Sequence, residues 1–123
     1  MVQYRDMYSP ESIVYVHTYD YVYPSGAAFK LGPFKLGPWI KPFLEAVGVT
    51  DPKRQRVVTR WLQDQYRREL KAFVSQNLNM RLVDSLGTLA TPQQWENEIH
   101  PTTKGFEKIV KRCWVPALTG VLA

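Results

Sequence analysis

The chain is sparing with side chains that do covalent or metal chemistry: it has two histidines, His17 and His100, and a single cysteine, Cys113. Its most informative stretch is Trp95-Glu96-Asn97-Glu98-Ile99-His100-Pro101-Thr102-Thr103-Lys104-Gly105-Phe106. There His100 sits on a short loop stiffened by Pro101, directly ahead of a threonine-capped helix. An imidazole held in that way suits general-base work, because proton transfer needs hydrogen-bond reach and a locked tautomer. His17, close to Tyr19 on a strand, reads as a structural histidine. Two histidines and one cysteine are too few for a transition-metal site, so neither a metal nor a cofactor is expected. A lone cysteine forms no internal disulfide, and its neighbours Ile109, Val110, Trp114 and Val115 mark Cys113 as a buried structural thiol.

The elements that must position His100 can be read from periodicity and breakers. Residues 2 to 8 suit a short helix ended by Ser9-Pro10. Residues 12 to 18 form a nearly continuous β-branched and aromatic run, the pattern of a parallel strand covered on both faces. Residues 19 to 38 hold six glycines and prolines and read as one long loop, within which Phe-Lys-Leu-Gly-Pro occurs twice in tandem, at 29 to 33 and 34 to 38. Trp39 to Val47 suits a short helix with Pro42 in its first turn. A long helix follows over about 52 to 77, capped by Thr50 or Asp51. Its Val57, Val58, Trp61, Leu62, Tyr66, Leu70, Phe73 and Val74 follow the helical period, which predicts one inward stripe. Arg60, Asp64 and Arg68 are spaced for surface ion pairs.

Met80 to Asp84 reads as a second strand and 86 to 91 as a loop, with a brief helix from Pro92 through Trp95. A last helix is expected from about Thr103 to Trp114, with Phe106, Ile109, Val110 and Cys113 inward. This order predicts an α/β chain: one domain over residues 1 to 123, helix-rich, with a partial flavodoxin-like parallel sheet and helical crossovers. Two strands are few against the five or so that are usual in such sheets, so further strands are expected from outside the chain.

The stretch around His100 resembles the last block of SGNH/GDSL-type serine hydrolases, in which Asp-x-x-His is followed by Pro, a few small or polar residues, Gly and an aromatic. His100, Pro101, Gly105 and Phe106 match it. More loosely, Val14 to Tyr23 resembles the strand and substrate-side loop after the family's third block, and Leu82 to Thr88 the strand leading to the histidine block. The resemblance implies an esterase with His100 as base, and with Tyr19, Asp20 and Tyr21 on the substrate side. The other aromatics of the long loop and Trp39 would line the pocket. Two features depart from the family. The position three before the histidine is Asn97, whose carbonyl can still fix the imidazole tautomer, while Glu98, Glu96 or Asp84 are alternatives for the acid. The blocks carrying the nucleophile and the oxyanion hole are not found. Ser25 lies in a flexible turn, not in a strand-to-helix elbow, and Ser9, Ser12, Ser75 and Ser85 are weaker candidates. The expectation is an SGNH-like esterase part that is inactive alone, with its nucleophile on another segment or chain.

With 45% apolar and 22% charged residues the chain is globular in composition. The net charge of +5 is concentrated on the long helix in Lys53, Arg54, Arg56, Arg60, Arg67, Arg68 and Lys71. The helix aromatics fall on the apolar stripe, away from these cations, which argues for a solvated face over a nucleic-acid surface. No apolar run approaches the roughly 18 residues of a membrane span. Arg5, Asp6, Glu11 and Asp20 interrupt the first twenty residues, which leaves the cytoplasm as the default location. The expected partners are an ester substrate and either a second copy or a complementary chain, since an uncovered strand at 12 to 18 is a template for pairing. The alternatives are a non-catalytic self-associating protein and a basic nucleic-acid-binding module.

Overall fold

The structure, a computed structural model, describes residues 2–120. Its elements are α1 (Val2–Tyr8), β1 (Val14–His17), β2 (Phe29–Leu31), β3 (Phe34–Leu36), α2 (Lys41–Ala46), α3 (Pro52–Ser75), β4 (Met80–Val83), a 3₁₀ turn (Pro92–Gln94) and α4 (Thr103–Ile109). A widened π segment (Val110–Trp114) and α5 (Val115–Thr119) follow. Strands β1 and β4 pair in parallel, with Val14 opposite Met80 and His17 opposite Val83, and the crossover between them runs through α3. The chain is therefore mixed helix and strand, with a small two-stranded parallel sheet. The expected cover on both faces of β1 is not met: Val14, Tyr15 and Val16 are only half-buried and His17 is exposed.

The stretch 19 to 38 is not one irregular loop. The tandem pentapeptides pair with each other as an antiparallel hairpin, Phe29 opposite Leu36 and Leu31 opposite Phe34, turning at Gly32-Pro33. Breaker counting missed this because the breakers sit at the turn and at the exit, which is where a hairpin places them. The first copy turns Phe29 partly inward, whereas Phe34 of the second is 68% exposed.

Helix α3 starts as expected, with the Asp51 carboxylate accepting the Arg54 N–H at 2.8 Å and Pro52 in the first turn. Its predicted inward stripe is a misreading. Val57, Trp61, Leu62, Tyr66 and Phe73 are exposed, and the buried face is led by Gln55 and Thr59. Hydrogen bonding drives this choice, because the helix docks on backbone that needs partners. Gln63 accepts the Val22 N–H and donates to the Asp20 carbonyl. Arg56 donates to the Val22 carbonyl and lies over the Tyr23 ring at 4.0 Å. Gln55 donates to the Val49 carbonyl at 2.9 Å. The surface pairs expected at Asp64 are absent among the described residues: Asp64 accepts the Tyr21 hydroxyl at 2.6 Å, and Arg60 sits over that ring.

The core is small and lies beyond the carboxyl ends of β1 and β4, where Val22, Leu89 and Trp95 are buried against Tyr23, Ile40, Ile99 and Ile109. Polar groups lace this end together. The Thr18 hydroxyl accepts the Ser85 N–H at 2.7 Å and the Ser85 hydroxyl donates to the Thr18 carbonyl at 2.6 Å, joining the two strand ends. The last helix runs five residues beyond its predicted end, and Phe106 and Val110, expected inward, are half-exposed. Cys113 is buried as expected, within 3.4 Å of the Thr88 hydroxyl. The widened turn comes just before Pro116, whose ring would collide with the Arg112 carbonyl in a regular α-helix.

Arg67 and Lys71 of α3 clamp Asp84 at the end of β4, at 2.5 and 3.3 Å. Partial burial pushes the Asp84 carboxyl pKa up, but the hydrogen bonds and charges of Arg67 and Lys71 outweigh it and hold it below the usual value. With the folded pKa below the unfolded one, near 4, this stabilisation is complete above that value and is lost as pH falls through the folded pKa. The urea midpoint should therefore fall more steeply on acidification below about pH 4 in the wild type than in Asp84→Asn. Superimposable slopes would show that the clamp does not form.

Candidate functional site

The loop carrying His100 is closed on itself before any partner is considered. The Glu96 N–H donates to the His100 carbonyl at 2.9 Å, Trp95 bridges to Pro101, and the Thr102 N–H donates to the Gln94 carbonyl at 2.9 Å. The chain thus enters and leaves side by side. Thr102 then caps α4, its hydroxyl accepting the Gly105 N–H at 3.1 Å. Gly105 is required by proximity, since a Cβ there would stand 2.6 Å from the Gln94 carbonyl oxygen and 2.9 Å from the Pro101 side chain.

Within this loop Asn97 is the organising side chain. Its Oδ1 accepts the backbone N–H of Ile99 at 3.1 Å and of His100 at 2.9 Å, and lies 3.1 Å from the His100 Nδ1. The two backbone donors fix which end of the amide is oxygen. That oxygen can only accept, so Nδ1 carries the ring proton and Nε2 is left as the basic lone pair. Among the described residues Nε2 makes no hydrogen bond. The arrangement is that of a base held in its working tautomer, with an amide in the orienting role. Asn97 Nδ2 is buried without a partner among the described residues, the penalty of using an amide where only an acceptor is needed.

Two aromatic rings wall the imidazole: Phe29 at 5.6 Å and Trp39, nearly edge-on, at 5.7 Å between centroids. Of the aromatics predicted for a pocket, these two reach His100. Tyr19 is close by, its hydroxyl donating to the Ile99 carbonyl, and burial raises its pKa so that it remains a neutral donor. Tyr21 is engaged by Asp64 and Arg60 of α3, Tyr23 lies under Arg56, and Phe34 points outward, so these three do not join the site.

Two of the predicted site carboxylates prove to be backbone staples. Glu98 is fully buried, and it accepts the N–H groups of Gly26, Trp39, Ile40 and Lys41 at 2.6 to 3.0 Å, with no bond to His100. Asp20, also buried, accepts those of Tyr21, Gly87 and Leu89 at 2.6 to 2.7 Å. Glu98 thus has no acceptor to spare for an imidazole, whereas Asp20, with three donors, keeps one position on Oδ2 and borders the cavity beside this loop. Asp84 is held by Arg67 and Lys71, and Glu96 is exposed, so of the four candidates for the orienting group Asn97 alone meets His100. No local signal in the sequence marked the staples, since neither Asp20 nor Glu98 has a glycine within five residues and their donors, Tyr21 apart, lie far along the chain. The sequence could not say which amides they take.

Beside the loop a cavity of about 170 Å³ opens between the end of β1 and the last helix, lined by His17, Tyr19, Trp95, Phe106, Ile109 and Trp114 among others. His17, at the exposed end of β1, packs there against Trp114 at 5.7 Å between ring centroids, and its Nδ1 meets the Thr18 carbonyl at 2.9 Å. Among the described residues no group of three or more His, Cys, Asp or Glu is placed to hold a metal ion. No helix among the described residues is long and apolar enough to cross a membrane. Comparisons with protein families, with curated proteins and with solved structures found no match to this chain.

Two outcomes follow from this geometry. Nitrogen-15 spectra of His100 should report the Nδ1–H tautomer in the wild type and lose it in Asn97→Leu; an unchanged tautomer would remove Asn97 from its role. Gly105→Ala should lower stability by roughly 1–3 kcal/mol in thermal or urea unfolding, because the added methyl overpacks the Gln94 carbonyl. A neutral result would mean that the loop is looser than drawn.

Proposed function

We propose that this chain is the base-bearing part of an SGNH-type serine hydrolase, with a partial flavodoxin-like sheet, that acts on a carboxylic ester. The observation that carries the reading is the Asn97 Oδ1 contact to His100 Nδ1 at 3.1 Å, across the spacing at which the family places acid and base, with Nε2 left unengaged. His100 Nε2 would take the proton of a seryl hydroxyl as its oxygen attacks the ester carbonyl. It would then return that proton to the departing alcohol oxygen, and Asn97 would keep Nδ1–H in place throughout. An amide stabilises the transient imidazolium less than a carboxylate does, so a slow enzyme is expected.

The serine comes from outside this chain. Ser9 and Ser12 bond each other, Ser25 accepts from Ala27, Ser75 donates to Ala72 and Ser85 to Thr18, so all five hydroxyls are engaged away from His100. The chain alone should not turn over a short-chain nitrophenyl ester. A product of the same gene or a complex that carries the nucleophile should do so, and His100→Ala should lower its kcat by roughly a thousandfold or more. Equal turnover in His100→Ala would refute the assignment.

The exposed apolar residues of α3 favour a second, compatible reading, in which the chain associates with itself or with a complementary segment. A nucleic-acid role has less support, because Arg56, Arg60, Arg67 and Lys71 are already engaged by Val22, Tyr21 and Asp84.

A further inference from the structure

We infer that Glu98 is a positioning residue for His100, acting through Trp39: its buried carboxylate holds the backbone that sets the Trp39 ring against the imidazole. Glu98 is 0% exposed, and a carboxylate in that position is tolerable only if its lone pairs are met. A carboxylate offers about four acceptor positions. Four N–H groups fill them: Gly26 and Lys41 on Oε1, Trp39 and Ile40 on Oε2. Such charge-assisted bonds are roughly twice as strong as neutral ones.

The origin of the donors gives the arrangement its meaning. Gly26 precedes the β2–β3 hairpin and residues 39 to 41 follow it, so a single side chain ties both ends of the excursion from 26 to 41. That excursion supplies both rings that wall His100, Phe29 and Trp39. Gly37 completes the placement. The Trp39 ring lies so close that a Cβ on Gly37, at φ +81°, would come within 2.6 Å of it. Asn97 and Glu98 therefore divide the work between neighbours in sequence, Asn97 fixing the tautomer of the imidazole and Glu98 fixing its surroundings. None of this requires ester hydrolysis to be the reaction.

The test reads the His100 ring directly by proton NMR on the whole chain. In the wild type, nuclear Overhauser contacts should join the His100 and Trp39 rings, and the His100 ring protons should be displaced by the indole current. Trp39→Leu should move those signals toward free-histidine values. Glu98→Gln should reproduce most of that movement while the Nδ1–H tautomer persists, and the double variant should add nothing further. A folded Glu98→Gln that keeps the His100–Trp39 contacts overturns the inference. If Glu98→Gln does not fold, wild-type hydrogen exchange decides. The Gly26, Trp39, Ile40 and Lys41 amides should exchange roughly a hundredfold or more slower than unprotected ones. Unprotected exchange at Trp39, Ile40 and Lys41 overturns the inference equally. Loss of the ring contact in Glu98→Gln, in a protein assembly whose ester turnover does not depend on His100, would leave the positioning role standing and the hydrolase reading refuted.

Discussion

A carboxylate taken out of water must find donors to replace it, and that requirement shapes the end of this molecule where His100 sits. The parallel sheet has two strands and six apolar side chains are buried among the described residues, Val22, Met80, Val83, Leu89, Trp95 and Cys113, which is little to hold long connections in place. Glu98 and Asp20 do much of that holding. Each gathers backbone N–H groups from segments distant in sequence, one drawing 26 and 39 to 41 onto the histidine loop, the other drawing 21, 87 and 89 together. Such bonds are directional, so they set geometry as well as energy. The imidazole and its two aromatic neighbours are fixed as a by-product of satisfying buried charge.

The same economy explains the orientation of the long helix. The loop from Asp20 to Tyr23 presents carbonyls and amides that the small sheet cannot pair, and α3 answers with Arg56 and Gln63 on the face turned toward that part of the chain. Unmet backbone polarity costs about 1–3 kcal/mol per group, as much as burying a large aliphatic side chain contributes. Polar docking therefore prevails, and the apolar residues Trp61, Leu62, Tyr66 and Phe73 are left facing outward. Periodicity identified that there is an apolar stripe. It did not identify which face meets this chain, because periodicity says nothing of what the neighbouring backbone lacks.

Local signals were legible to the extent that they are local. The caps at Asp51 and Thr102, the two branched strands themselves and the buried Cys113 follow from residues within a few positions of each other. So does the spacing of Asn97 and His100, which share one tight loop. What sequence left open is long-range: that Glu98 reaches across to residue 39, that Asp20 takes the amides of residues 87 and 89, and that Tyr21 turns to α3. A polar side chain two residues before a histidine advertises chemistry, yet its partners are chosen by chain crossings that no spacing rule encodes.

The tandem pentapeptide shows how such a molecule can lengthen without penalty. An inserted segment usually exposes amides that something else must satisfy. Here the second Phe-Lys-Leu lies antiparallel to the first, so each copy supplies the other's complement and the ladder closes within the repeat. The first copy keeps its phenylalanine against the histidine while the second faces solvent. A repeat of this kind is a spare part that the chain can alter, residue by residue, beside His100.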